Sequence, residues 1–102
     1  MHARVTHFDV VLGEEAFGEA QRAFERLVAP ELRKQAGYAG CYLMRTQRGK
    51  GLLISLWEVD DPMRVGDADG FYARQLEQLQ PLLGRHPSTE SYGIDFADHP
   101  VG

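Results

Sequence analysis

The sequence predicts an α+β domain of ferredoxin-like order, βαββαβ, with a four-stranded antiparallel sheet and two helices on one of its faces. Three observations lead there. Four separate stretches alternate with the two-residue period of strands, and two longer stretches carry the 3.6-residue apolar spacing of helices. The third strand stretch is apolar on both faces, so both sides of the sheet need cover. A chain of 102 residues, 43% hydrophobic and 25% charged, has the length and composition of one ordinary globular domain rather than a disordered or fibrous chain. Residues 3–97 form that domain, and 98–102 read as a mobile tail.

Ala3 to Val11 is the first strand, with Thr6, Phe8 and Val10 on one face and Val5, His7 and Val11 on the other. Gly13 breaks it. From Glu14 to Ala36 the spacing is helical: Phe17, Ala20, Phe24, Leu27 or Val28, and Leu32 form the apolar stripe. Pro30 falls inside this stretch, lacks a backbone donor, and predicts a kink between Arg26 and Pro30. Gly37 ends the helix. Tyr38 to Arg45 and Leu52 to Glu58 are the second and third strands, joined by a glycine-containing hairpin over Thr46–Gly51. Asp60-Asp61-Pro62 starts the second helix, with acidic residues at the cap and proline at the first turn. This helix is expected to be interrupted at Gly66–Gly70 and to resume through Leu83. Glu90 to Phe96 is the fourth strand, with Tyr92, Ile94 and Phe96 on one face.

Composition excludes several functions. A net charge of -4 argues against a nucleic-acid partner. The single cysteine, Cys41, rules out an internal disulfide and suits a reducing compartment. No apolar run approaches the ~20 residues of a membrane span, and the start of the chain lacks the pattern of a signal peptide. A cytoplasmic location is therefore expected, with no membrane partner. No HExxH, paired-histidine spacing or second cysteine points to a metal. The aliphatic face of Val5, Leu52, Ile54 and Leu56 calls for cover by a second copy of the chain.

Three pieces together carry a family resemblance: Val5-Thr6-His7-Phe8 through Gly13, Gly37-Tyr38-Ala39-Gly40 after a helix, and Ile54-Ser55-Leu56-Trp57-Glu58 before an acidic helix start. Over about residues 3–97 the chain resembles the antibiotic-biosynthesis-monooxygenase-like family. The resemblance implies a dimeric α+β barrel and an activity near that of the cofactor-free, quinone-forming monooxygenases. Those enzymes line their pocket with a Trp at the end of the third strand, matched here by Trp57. Their Asn four residues earlier is Leu53 here, and their Tyr six residues later is Met63. Haem-degrading members place an Asn in the first strand, where Thr6 is the nearest match, and a second Trp and a haem-ligating His on the second helix. The stretch from Gly66 to Leu83 has neither Trp nor His, and the chain has no Asn at all. No haem and no other cofactor is therefore expected.

On this basis Trp57 and His7 are the candidate catalytic residues. Thr6, Phe8, Ser55, Trp57, Met63 and Tyr72 are the candidate contacts to a small aromatic ligand. Trp57 either stacks on such a ligand, with Ser55 and Thr6 supplying hydrogen bonds, or fills the sheet–helix core. His7 is the residue type for proton transfer near neutral pH, with Asp9 on its face and Asp95 expected to face it from the fourth strand; otherwise it is a histidine at the dimer interface. Tyr42, Tyr72 and Tyr92 serve either a pocket or the core. Cys41 has no cationic neighbour in sequence to make it a nucleophile. The basic hairpin of Arg45, Arg48 and Lys50 reads as a solvated turn. Two functions of different class follow: a cofactor-free oxygenase acting on a small aromatic compound, or a non-catalytic ligand-binding dimer. In both, the 66–70 break lies over the pocket mouth.

Overall fold

Backbone pairing turns the alternating stretches into one sheet. The computed structural model describes residues 1–58, 74, 77, 80–84 and 87–100. The strands are β1 (His2–Asp9), β2 (Tyr38–Arg45), β3 (Lys50–Trp57) and β4 (Ser88–Gly93). They lie in the order β2-β3-β1-β4, and every neighbouring pair is antiparallel. This is the ferredoxin-like order, with the two strands of each βαβ half separated by a strand of the other. Among the described residues, no helix is long and apolar enough to cross a membrane.

The first helical stretch is three pieces in line: α1 (Glu14–Ala23), a π-helical turn (Phe24–Val28) and α2 (Ala29–Arg33). The Ala29 N–H donates to the Phe24 carbonyl, five residues back. The cause is Pro30, whose ring would clash with the Arg26 carbonyl in an unbroken α-helix and which has no N–H to offer it. A widened turn relieves both problems and is the form the expected kink takes. It also decides which residue faces the core: Val28 is 2% exposed and Leu27 54%. The helix ends at Arg33 rather than Ala36. Lys34 and Gln35 donate three residues back, to Glu31 and Leu32, and this tightened last turn uses up the end of the helix.

Phe17, Phe24, Val28 and Leu32 from this helix pack on Phe8, Leu53 and Trp57 from the sheet. Leu82 and Leu83 of α3 (Gln80–Leu83) complete the core. The expected start of the second helix, its break at 66–70, Met63 and Tyr72 lie outside the described residues.

The first and last strands depart from expectation because a strand can be only as long as its partner. β1 begins at His2, one residue early, and ends at Asp9; Val10 then donates to the Gly49 carbonyl at 2.7 Å. β4 is held by β1 from Ser88 opposite His7 to Gly93 opposite His2. It therefore runs over 88–93 instead of 90–96. Past Gly93 one further bond forms, from Ile94 N–H to the Met1 carbonyl at 3.0 Å. Phe96, beyond it, is 84% exposed.

Between β2 and β3, the Thr46 hydroxyl accepts from the backbone of Arg48 and Lys50, both at 3.2 Å. This ties the hairpin tip and fixes the register of the two strands.

Candidate functional site

Residues directly opposed in an antiparallel pair share a sheet face. The register places Thr6 opposite Leu53 and Thr89, Phe8 opposite Gly51, and His2 opposite Trp57. Thr6, Phe8, Ser55 and Trp57 are thus on one face, and all four are buried. This is the helix-covered face, since Phe8, Leu53 and Trp57 are the sheet residues of the core that the helices pack on. His7 and Asp9 are on the opposite face with Leu52, Ile54 and Leu56, and both are exposed. The structure therefore separates His7 from Trp57. It also removes the proposed Asp95 partner: His7 is paired with Ser88, whereas Asp95 lies past Gly93 at the other end of the strand.

Trp57 is 1% exposed. Its indole N–H donates to the Ser55 hydroxyl oxygen at 2.8 Å. The two side chains point the same way from alternate positions of β3, so the strand period makes this bond. The Tyr38 ring meets the indole edge-on, with centroids 5.5 Å apart and planes at 70°. On the same face, Thr6 and Thr89 hydroxyls bond at 2.9 Å. An unpaired polar atom at such depth would cost about 1–3 kcal/mol. These two pairs meet that cost within the sheet.

Tyr38 and Cys41 were not among the expected site residues, and simple alternation puts them on opposite faces. A β-bulge intervenes: Tyr38 pairs with Trp57, but the next paired residue, Gly40, opposes Leu56. The unpaired Ala39 shifts the parity by one. Gly40 takes up the bend at φ 141°, a conformation that costs glycine little and other residues much. Tyr38 and Cys41 consequently share the Trp57 face. Burial pushes the Tyr38 phenol above its ordinary value, the adjacent Cys41 thiol adds to this by hydrogen bond and charge, and Arg33 partly offsets it. The Gly-Tyr-Ala-Gly segment held the only sequence signal of the bulge. The alternation that begins at Ala3 does not include His2; the extra residue of β1 sets it, half-buried, opposite Trp57.

The other face holds a cleft of about 750 Å³ at the hairpin end of the sheet, lined among others by His7, Met44, Lys50, Leu52 and Ser88. Lys50 donates to Asp9 at its rim at 2.7 Å. Further along this face Tyr42, Met44 and Tyr92 are exposed, and the Tyr92 hydroxyl donates to Glu90. On the covered side, Arg45 bonds Glu14 at 2.9 Å and lies 4.1 Å above the Phe17 ring. That clamp ties the hairpin to the start of α1.

No protein-family model matches the sequence, and no curated protein matches it. Solved structures do match in shape. The ActVA-Orf6 monooxygenase of Streptomyces coelicolor, solved with nanaomycin D, superposes with a TM-score of 0.73 at 21% identity, covering 98% of this chain and 92% of its own. SnoaB, a cofactor-independent oxygenase of Streptomyces nogalater, gives 0.68 at 20% identity with 94% of each chain covered. Rv0793 of Mycobacterium tuberculosis gives 0.63 at 16% identity, over 95% of this chain and 98% of its own. With the element order and sheet topology, these matches show that the chain has the ferredoxin-like α+β fold of the antibiotic-biosynthesis monooxygenases, as the sequence resemblance implied.

Proposed function

We propose that the protein is a homodimeric, cofactor-independent oxygenase that acts on a small, electron-rich aromatic compound held between the Trp57 face of the sheet and the helices. The observation that supports this best is the Trp57 indole, buried on the covered face and locked by Ser55 and Tyr38. A fixed aromatic wall ringed by protic side chains suits a flat phenolic substrate. Similarity in fold to a cofactor-independent oxygenase supports the reaction class.

In this reading a base removes a substrate proton, and the electron-rich anion reacts with O2. One oxygen atom enters the ring as a carbonyl and the other leaves as water, with one hydrogen from that ring carbon and one from the phenol hydroxyl, so that the phenol becomes a quinone. Among the described residues, His2 is the histidine on the Trp57 face and takes the role of base, since His7 lies on the other side of the sheet. Thr6, Phe8 and Ser55 form the floor, and Met63 and Tyr72 are the further contacts that the sequence suggests.

One observation favours ligand binding without turnover. The Trp57 indole and the Thr6 hydroxyl are each already bonded within the sheet. Oxygen uptake with a panel of polyphenols separates the two. Oxygenation predicts uptake by the wild type that falls at least about tenfold in Trp57→Phe and in His2→Gln. Quenching of Trp57 fluorescence by the same compounds, without uptake, would establish the binding reading and overturn the enzymatic one. The dimer is checked by light scattering at micromolar concentration, where a monomer would refute it.

A further inference from the structure

Strand pairing sets a cation on the covered face, one row from Trp57. Arg4 of β1 stands opposite Ser55 of β3 on one side and Ser91 of β4 on the other. The row therefore holds a guanidinium between two hydroxyls. Burial falls along it, from buried Ser55 through half-buried Arg4 to exposed Ser91. It leads from the residue that binds the indole N–H to the edge strand of the sheet. The Nε of Arg4 is shielded from solvent.

The strands put no carboxylate on this face among the described residues: Asp9 and Glu90, the acids of the sheet, are both on the other one. Arg45, also on the covered face, is matched by Glu14. Arg4 interacts with another group of the chain, but a guanidinium carries five N–H donors in a planar fork and serves a neighbour and an anion together. Its place fits the aromatic wall. Trp57 is the diagonal neighbour of Arg4 across the β1–β3 pair, within reach of a long side chain. His2 and Arg4 alternate along β1, which separates them by about 7 Å. That spacing fits two substituents of one ring system lying on the indole.

We propose that the compound taken by this site is an aromatic acid: Arg4 holds a carboxylate carried by its ring system, Ser91 adds a hydroxyl at the mouth, and the hydroxyl to be ionised lies at His2. The proposal rests on the oxygenase reading above and names the class of phenol that it accepts. Arg4 then sets specificity, since a neutral phenol of the same shape forgoes the charge-assisted bonds.

Fluorescence of Trp57, the single tryptophan of the chain, reads the binding of protocatechuate and of its primary amide, which share a shape and differ by one charge. The acid should bind the wild type at least about tenfold more tightly, and added salt should narrow the gap. Arg4→Gln should bring the acid down to the affinity of the amide and leave the amide unchanged. Ser91→Asp sets a carboxylate opposite Arg4 at an exposed position, so it should weaken the acid alone without reaching the core. Equal affinity of the wild type for the two compounds would overturn the acid and leave the Trp57 site standing. Loss of both compounds alike in Arg4→Gln, with Ser91→Asp sparing both, would assign Arg4 to the fold and overturn its contact with the ligand. Binding of neither compound would overturn the site and the proposal together.

Discussion

Gly51 stands opposite Phe8 in the β1–β3 pair, and its missing side chain makes room for the ring. A Cβ built there would lie 2.3, 2.4 and 2.8 Å from three ring carbons of Phe8, well inside van der Waals contact. Phe8 is itself buried among the core residues, so the ring cannot swing into solvent without losing its packing. Overfilling a packed site of this kind costs about 1–3 kcal/mol. Replacing glycine within a strand returns about 0.5–1 kcal/mol through the unfolded chain. Gly51→Ala should therefore destabilise the protein by about 1–2 kcal/mol, lowering Tm by about 5–10 °C for a domain of this size. The assay is urea unfolding at unchanged m-value. Repeating it in a Phe8→Leu background completes a double-mutant cycle, and there the alanine penalty should vanish because the crowded ring atoms are gone. A neutral or stabilising Gly51→Ala, or one equally harmful in both backgrounds, would refute the reasoning.

Two further perturbations follow. Ser55→Ala strands the buried Trp57 N–H and should cost about 1–3 kcal/mol; thermal unfolding measures it, and an unchanged Tm would mean that the indole finds another acceptor. The Tyr38 phenol has a folded-state pKa above its unfolded value near 10, so the native state holds its proton where the unfolded state releases it. Its stabilising effect is complete below pH 10 and is lost as pH rises toward the folded value. Tyr38→Phe should flatten the alkaline decline in stability and remove one late-titrating tyrosine from the absorbance at 295 nm. An alkaline limb unchanged by this substitution would contradict the assignment.

The sequence by itself determined the order of the elements and which residues of β1 and of β3 share a face. Both are local properties: a period of two or 3.6 in apolar residues survives whatever the chain packs against. The Leu53–Ser55–Trp57 face and its counterpart Thr6–Phe8 were legible for that reason, and so was the disturbance at Pro30. The tertiary structure decided the rest. It set where β4 stops, because its length is limited by its pairing with β1, and this leaves Phe96 beyond the sheet. Only the β2–β3 register reveals the bulge at Ala39, which brings Tyr38 round to Trp57. The same holds for His2 beside Trp57 and His7 remote from it, since neighbours across a sheet are chosen by pairing between distant segments. Nothing in the local period records that choice.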